Sequence, residues 1–181
     1  MTFKTISTKI IHQSPWRDYK HDVFQLSEDE EGDYFYCESN GAAMVIPILL
    51  DGRLVLVRQY RYLFNKSGIE FPCGGLRQGE RSSEAAAREL LEETGFQAKE
   101  LIKITDYEPA NSFCKNKISL YVGSDLNQVD SPHPEKGEIL EPIYRRVDEF
   151  EEMVKNGEIE DGQTLAAWAV ARDYIKSLSN I

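Results

Sequence analysis

One segment, from Gly74 to Phe96, concentrates the side chains that could do chemistry. It opens with two glycines, and its second half carries Glu89, Glu92 and Glu93 in a helical pattern. At 100° per residue, these three carboxylates share an arc of about 100° on a helix. Oxygen atoms at such spacing are the ligands that hard divalent cations prefer. The pattern therefore indicates either a divalent metal site or a solvated acidic face of a helix.

Further residues around these acids favour the metal site. Glu80 ends the glycine-rich loop before the helix, from where its carboxylate can reach the same arc. Arg88 precedes Glu92 by four residues, which is the spacing of an ion pair on a helix. Gly95 is predicted to end the helix directly after the acids. The core face of this helix is predicted to consist of Ala86, Ala87, Leu90 and Leu91.

The same segment resembles the Nudix box, G-x5-E-x7-R-E-U-x-E-E-x-G-U, in which U is bulky and apolar. A chance match has odds below about one in ten million per starting position. The resemblance implies hydrolysis of a nucleoside diphosphate linked to another moiety X. The residues that fill the fixed positions are Gly74, Glu80, Arg88, Glu89, Leu90, Glu92, Glu93, Gly95 and Phe96.

The resemblance also implies how a metal would be held. Glu89 and Glu93 are the implied first ligands of Mg²⁺, which Mn²⁺ can replace. Glu92 and Glu80 would complete or support the site, and the backbone carbonyl of Cys73 stands where related enzymes supply another ligand. Divalent ions at such a site neutralise a pyrophosphate and lower the pKa of the attacking water.

The group that activates water is implied to lie in the loop before the last strand. In the related enzymes an acid of this loop is the base, and here Glu138 best resembles it because it begins the acidic run of residues 138–141. Glu135 and Glu141 remain alternatives. Arg88 is implied to orient the metal-binding carboxylates. The complete set of implied catalytic residues is Glu92, Glu93, Glu138 and Arg88.

The flanks of the box resemble the ADP-ribose and nucleoside diphosphate sugar pyrophosphatases. Residues 57–61 and 70–74 resemble the motifs Q-[YF]-R and E-[LF]-P-A-G of that group, and Pro109 stands where it has a proline. The resemblance implies ADP-ribose as substrate, with a nucleoside monophosphate and a sugar phosphate as products. The implied substrate-binding residues are Arg61 and Arg58 for the phosphates, Glu70, and Trp16 for base stacking, with Tyr19 and Tyr34 as further stacking candidates.

The segment after Pro109 departs from that group. Residues 110–117 lack the glycine of its S-P-G-F-S-D-E motif and carry lysines where acids are common. Another substrate is therefore an alternative, namely GDP-mannose, another sugar nucleotide or a dinucleoside polyphosphate. A ligand sensor with the same fold is a non-enzymatic alternative, which the intact acids of the box disfavour.

These residues require a particular set of elements around them. The predicted fold class is α+β, an α/β/α sandwich with a mixed sheet and flanking helices, preceded by a small N-terminal antiparallel β unit. Residues 1–40 are predicted to form that unit. The resemblance implies that it is exchanged across a homodimer and that residues 41–181 form the Nudix catalytic domain. Asp51-Gly52 predicts a hairpin, and Ser82 and Asp148 are predicted to cap helices.

The composition excludes several partners. With 31 acidic and 21 basic residues the formal net charge is −10, which disfavours nucleic-acid binding and binding to anionic membranes. The N-terminus lacks the pattern of a signal peptide, and no run of about 18 apolar residues predicts a membrane helix. We therefore expect a cytoplasmic protein, and the resemblance implies a small nucleotide substrate. Its three cysteines, Cys37, Cys73 and Cys114, are expected to be reduced because they are far apart in the sequence.

Overall fold

The computed structural model describes residues 2–178. Its strands are β1 (Lys4–Gln13), β2 (Asp18–Ser27), β3 (Glu30–Glu38), β4 (Ala42–Pro47), β5 (Leu54–Arg61), β6 (Lys66–Glu70), β7 (Cys73–Gly75), β8 (Phe96–Tyr107), β9 (Cys114–Lys115), β10 (Ile118–Gln128) and β11 (Leu140–Arg145). Its helices are α1 (Ser82–Thr94), α2 (Val147–Lys155) and α3 (Gly162–Leu178). None of these helices is long and apolar enough to cross a membrane.

Two sheets lie between helices and carry the core. One has the strand order β7-β4-β10-β8 and the other the order β11-β5-β6. Strand β4 pairs in parallel with β10 and antiparallel with β7, so the sheet is mixed. Alternate β4 residues face opposite sides: Ala43 and Val45 pack with α1, whereas Met44 and Ile46 pack with α2 and α3. Helices cover both faces, and this arrangement confirms the predicted α/β/α sandwich.

Aromatic packing fixes the chain just before the glycine-rich loop. The ring of Phe71 lies 5.2 Å from that of Phe150 in α2, which lies 5.0 Å from that of Trp168 in α3. The backbone N–H of Phe71 also donates to the hydroxyl of Thr164, at 3.1 Å. Burying a side chain of this size stabilises the fold by about 1.5–3 kcal/mol. The segment that precedes the box is thereby anchored on two helices.

The N-terminal strands form a separate sheet with the order β1-β2-β3-β9. The antiparallel pairing of β1, β2 and β3 agrees with the predicted three-stranded unit. The fourth strand, β9, was not predicted, because two residues carry no periodicity that could be recognised. It pairs in parallel with β3 and joins the N-terminal unit to the chain after β8. The boundary at residue 40 and the exchange across a dimer stay predictions.

The predicted hairpin at Asp51-Gly52 is confirmed at its turn and does not continue as a strand pair. The backbone N–H of Leu49 donates to the Arg53 carbonyl at 2.8 Å, and an antiparallel bridge joins Ile48 and Leu54. Strand β5 then pairs with β6 and β11 in the second sheet. Both edges of β4 are already occupied by β7 and β10, so β5 has no place beside it.

Both predicted helix caps are wrong by one or two residues. The cap of α1 is Arg81 and that of α2 is Arg146. In each helix a glutamate three residues later accepts a hydrogen bond from the backbone N–H of the cap residue. The hydroxyl of Ser82 instead hydrogen-bonds the hydroxyl of Tyr121, at 2.8 Å. The arginine caps escape a search for Ser, Thr, Asp and Asn because the glutamate supplies the acceptor.

Candidate active site

The glycine-rich loop and α1 meet at Gly74. A Cβ atom at this position would lie 2.0 Å from the carboxyl carbon of Glu89. A side chain at this position would therefore displace the Glu89 carboxyl group from its present place. The first glycine of the box leaves room for the carboxylate of Glu89.

The acids of α1 lie on its buried edge, and the predicted core face was misplaced. Glu93 is 2% exposed, and Glu89 is also buried. Ala87 is exposed and Leu91 is only half-buried, whereas Ala85 is buried. Helix α1 packs on β4 and β7, which turns its acidic edge towards these strands. The alternative of a solvated acidic face is thereby wrong for Glu89 and Glu93.

Burial disfavours the charged form of both acids at this edge, although Arg88 pairs with Glu89. Burial raises the pKa of Glu89 to about 7, and it raises the pKa of Glu93 well above its usual range. The backbone amide of Cys73 partly offsets this rise for Glu93, yet Glu93 Oε2 is buried with no hydrogen-bond partner. A buried acceptor in this condition is costly unless a proton or a cation reaches it. The pair therefore suits a positively charged ligand.

Arg88 connects the remaining acids. Its Nε lies 2.8 Å from Glu80 Oε1, and its Nη1 lies 3.1 Å from Glu92 Oε2. The same Nη1 contacts Glu89, and Nη2 donates to the carbonyl of Gly75 at 3.0 Å. The ion pair of Arg88 with Glu92 confirms the helical spacing argument. One guanidinium thus orients three carboxylates and the glycine-rich loop.

Glu80 differs in its environment from the buried pair. Arg88 and the backbone N–H of Arg77 both donate to its carboxylate, at 2.8 Å each. These contacts lower the pKa of Glu80 to about 2. Glu80 therefore holds Arg88 in this structure.

Among residues 2–178, no three His, Cys, Asp or Glu side chains converge at the spacing of a metal site. Arg88 lies between the acids instead and contacts three of them. The donor chemistry nevertheless fits a hard cation, because the acids supply oxygens and Glu93 Oε2 is unpartnered.

The loop of residues 129–139 folds back onto the end of α1. Gly95 has a left-handed φ of 75°, and its carbonyl accepts from the backbone N–H of Val129 at 3.0 Å. The backbone N–H of His133 donates to the Glu92 carbonyl at 2.8 Å. The loop that carries the candidate bases is therefore attached to the helix that carries the acids.

The three candidate bases have different partners. The charge of Glu138 raises the pKa of both Glu89 and Glu93, so it lies within their electrostatic reach. Glu135 pairs with Arg77 at 3.4 Å. Glu141 pairs with Arg58 across β5 and β11, at 2.8 Å.

The implied substrate-binding residues are more dispersed. Arg61 forms an ion pair with Glu70 through two hydrogen bonds, so both oxygens of the Glu70 carboxylate accept from the same guanidinium. Glu70 is 5% exposed, which suits a residue that holds Arg61. Trp16 lies between β1 and β2 with 74% of its surface exposed, and Tyr34 donates to the Ser112 carbonyl at 2.6 Å.

A cavity of about 600 Å³ separates β3 from the segment after β8. Its walls include Tyr34, Tyr36 and Phe113, together with Lys115 and Lys117. It also reaches residues 39–41, and the Gly41 carbonyl accepts from the backbone N–H of Leu76 at 3.0 Å. The cavity therefore lies beside the glycine-rich loop, and residues 110–117 form part of its wall.

Arg77 is a residue that the sequence did not nominate. Its Nη2 lies 3.5 Å from Glu92 and 3.4 Å from Glu135. It thus bridges the acidic helix and the loop of the candidate bases. Because Arg77 occupies a variable position of the box, its type carried no signal in the sequence.

The profile of the NUDIX domain matches residues 39–168, well over half of the chain. The chain belongs to the NUDIX domain family. The resemblance noted in the sequence is thereby confirmed, and so is the enzyme class of Nudix pyrophosphohydrolase that it implied. Members of this family generally require a divalent metal.

This Nudix protein is similar in sequence to several proteins of named activity and in structure to a hydrolase. An ADP-ribose pyrophosphatase of Bacillus subtilis (strain 168) is 28% identical over 128 residues, 70% of this chain and 69% of the relative. A methanol dehydrogenase activator of Bacillus methanolicus is 29% identical over 165 residues, 91% of this chain and 89% of the relative. The crystal structure of an ADP compounds hydrolase superposes with a TM-score of 0.86 at 22% identity, covering 100% of this chain and 98% of that one. This structural likeness confirms the Nudix fold.

Proposed function

We propose that this Nudix protein hydrolyses the pyrophosphate bond of a nucleoside diphosphate sugar, with ADP-ribose as the first candidate. The products are a nucleoside monophosphate and a sugar phosphate. The observation that carries the proposal is the buried pair Glu89 and Glu93, which lies beside the glycine-rich loop with Glu93 Oε2 unpartnered. The name of the Bacillus subtilis relative supports the choice of substrate.

Mg²⁺ is the proposed metal, and Mn²⁺ is the expected substitute. Glu89 and Glu93 would hold it, with Glu92 and the backbone carbonyl of Cys73 as further ligands and Glu80 as support through Arg88. A bound divalent ion supplies charge neutralisation to the pyrophosphate and acidity to the attacking water. Arg88 holds Glu89 and Glu92 beside each other, so their mutual repulsion is reduced before any cation binds.

The proposed base is Glu138. It is the candidate of the 129–139 loop whose charge acts on both buried acids. Its Oε2 accepts a hydrogen bond from the backbone N–H of Glu135, at 3.0 Å, which fixes the direction of the carboxylate. Glu138 would take a proton from the attacking water as the bond to phosphorus forms.

The substrate phosphates are proposed to lie between the acids and Arg61. Glu70 holds the Arg61 guanidinium from one side through two hydrogen bonds, which leaves its remaining donors for a phosphate oxygen. Arg58 assists from the same strand, although Glu141 competes for it. A fixed fork of donors suits the recognition of a diphosphate.

The nucleoside is proposed to occupy the cavity beside the glycine-rich loop. A volume of about 600 Å³ lies within the range of small-molecule sites. Tyr34 and Phe113 in its wall offer rings for stacking a base. Trp16 is too exposed to stack within one chain, and it is proposed to contribute from a partner subunit.

A homodimer through the N-terminal sheet is part of the proposal. Every residue of β1 is exposed, including the apolar Ile6, Ile10 and Ile11. Phe3 and Phe35 are also exposed. Apolar surface in such a group is typical of a protein interface. The cytoplasmic location expected from the sequence stays a prediction.

The test is a panel of ADP-ribose, GDP-mannose, a second sugar nucleotide and a dinucleoside polyphosphate, each with Mg²⁺ and with Mn²⁺. Products are separated by chromatography, and we expect the nucleoside monophosphate and sugar phosphate from ADP-ribose at the highest kcat/KM. A higher kcat/KM for another member of the panel would replace ADP-ribose as substrate. The Glu93→Gln variant is the matched inactive control.

The ligand-sensor alternative is separated by the same experiment. A sensor would bind a nucleotide in calorimetry but release no product with either metal. Binding without turnover, in a protein whose unfolding is cooperative, would overturn the proposed reaction.

A further inference from the structure

Cys37 and Cys114 lie directly opposite each other in the paired strands β3 and β9. The backbone N–H of Cys37 donates to the Phe113 carbonyl at 3.0 Å, which fixes the register. Neighbouring strands are about 4.8 Å apart, and opposed residues direct their side chains to the same face. Two cysteines in this relation meet the Cα separation of about 4.4–6.8 Å that a disulfide bridges. Residues distant in the sequence thus become neighbours.

Neither thiol is committed to another bond. Both residues are half-buried, and both are free thiols in this structure. Burial raises the pKa of the Cys114 thiol, which lowers its thiolate fraction. The strand register, and not the acidity of the thiols, is therefore the basis for a reaction between them. Cys73 differs, because its Sγ lies 3.9 Å from Gln163 and next to the acids of the active site.

We propose that Cys37 and Cys114 are an oxidation site. Small-molecule disulfides such as oxidised glutathione oxidise the two thiols by exchange, and a reversible disulfide forms between Cys37 and Cys114. The proposal does not depend on the substrate of the enzyme. It assigns a covalent link between β3 and β9, which joins the N-terminal strands to the part of the chain that follows β8.

The reaction is a pair of thiol–disulfide exchanges. The thiolate of one cysteine attacks a sulfur of the small disulfide, forms a mixed disulfide and releases one small thiolate. The thiolate of the second cysteine then attacks the protein sulfur of the mixed disulfide and releases the other small thiolate. The two leaving thiolates take up the two protons that the cysteines lost. The protein is oxidised by two electrons, and the small disulfide is reduced to two thiols.

The disulfide would reinforce the junction between β3 and β9, which is short. Strand β9 has two residues, and the junction is completed by the contacts of Tyr34 with Ser112 and of Lys115 with Glu38, at 2.6 Å each. Cys114 also lines the cavity proposed for the nucleoside. A disulfide at this point would hold the two walls of the cavity together.

The test uses the full chain, with and without oxidised glutathione. Thiols are counted after denaturation, and the chain is mapped by mass spectrometry without reductant. The reduced protein carries three thiols, and we expect the oxidised protein to carry one. The intact protein should lose the mass of two hydrogen atoms. After digestion, a single linked peptide pair containing Cys37 and Cys114 should appear, at the summed mass of its two peptides less two hydrogen atoms, and dithiothreitol should remove it.

The three cysteine variants separate the alternatives. Cys73→Ser should fall from two thiols to none on oxidation, whereas Cys37→Ser and Cys114→Ser should form no internal link. Oxidation should raise the thermal midpoint of wild type and leave that of Cys37→Ser unchanged. Three surviving thiols, glutathione adducts alone, or a link between two chains would each overturn the proposal.

Discussion

At the scale of single residues, the acids of this Nudix protein divide by environment into three kinds. Glu89 and Glu93 are buried, and their pKa values rise. Glu80 is held by Arg88 and Arg77, and its pKa falls to about 2. Glu138 belongs to a loop, and its charge acts on the buried pair. The same side-chain chemistry thus yields candidate ligands, a support and a candidate base, according to burial and neighbouring charge.

The first prediction concerns Glu138. The Glu138→Gln variant should lose about 10²–10⁴-fold in kcat, the contribution of a general base, and should unfold at the same urea concentration as wild type. Steady-state kinetics with ADP-ribose and Mg²⁺ measure the change. Glu135→Gln and Glu141→Gln are the matched controls, because each alters one carboxylate of the same region. A larger loss in either control would move the base to that residue.

The second prediction concerns the pH dependence of the metal-free protein. The pKa of Glu89 is raised from 4.5 to about 7 in the folded state, so between these values the unfolded chain releases this proton and the folded chain keeps it. The free energy of unfolding should therefore fall as the pH rises from about 4.5 to 7, and Glu89 alone should contribute about 1.4 kcal/mol for each pH unit within that window. Glu93, whose pKa is also raised, should add a fall of the same sign. Urea unfolding in a chelator at several pH values measures the slope.

Two variants test whether Glu89 is a source of this pH dependence. Glu89→Gln should reduce the slope between pH 5 and 7 and leave the contribution of Glu93, whose pKa is also raised, whereas Glu84→Gln, an exposed acid of the same helix, should keep the wild-type slope. Added Mg²⁺ at pH 7.5 should raise the unfolding midpoint of wild type more than that of Glu89→Gln. An unchanged slope in Glu89→Gln would contradict the assignment.

At the scale of elements, the end of α1 is also the attachment point of the loop with the candidate bases. Gly95 stops the helix with a left-handed φ of 75°, and a Cβ there would lie 2.3 Å from the Asp130 carbonyl oxygen. The glycine near the end of the box therefore serves the helix and the loop at once. Arg77 adds a side-chain bridge between the same two elements.

The third prediction compares two glycines that end helices. Gly157, after α2, also has a φ of 75°, but a Cβ there would meet open space. Alanine at either position should cost about 1–2 kcal/mol of backbone strain. Gly95→Ala should cost more than Gly157→Ala, and it alone should lower kcat, because Asp130 must move. Urea unfolding and kinetics of both variants measure these changes, and equal losses would contradict the role of Gly95.

At the scale of the whole molecule, the net charge of −10 is compatible with the proposed phosphate substrate if part of it holds a cation, as we propose for the acids of α1. In that proposal the acids bind the divalent ions that a pyrophosphate needs, and Arg61, held by Glu70, adds a positive group. The N-terminal sheet is the other large-scale feature, since it exposes apolar side chains along β1. These exposed residues are the basis for the proposed homodimer.

The fourth prediction tests that homodimer. Wild type should sediment as a dimer at micromolar concentration, and Ile10→Asp should shift it towards the monomer because a charge replaces an apolar side chain at the interface. Val170→Asp is the matched control, since Val170 in α3 is 50% exposed and Ile10 is 49% exposed. Analytical ultracentrifugation measures the change. A monomeric wild type, or equal dissociation of both variants, would contradict the dimer.

The sequence by itself determined the Nudix family, the acids of the box and the pairing of Arg88 with Glu92. Local spacing carries these properties, because a helix brings residues four apart together wherever it lies. Local patterns also predicted the glycines that end α1 and α2. They likewise predicted the three N-terminal strands. Arginine caps and the two-residue strand β9 were not, because neither leaves a local pattern.

Only the tertiary structure decided which acids are buried, since the packing of α1 on β4 and β7 turned Glu89 and Glu93 inwards. It also placed β5 in a different sheet from β4, joined Arg77 to Glu135, and brought Cys37 opposite Cys114. Each of these relations joins residues of different elements. Contacts of this kind depend on how sheets and helices pack around the core, a property of the whole chain that local spacing does not encode.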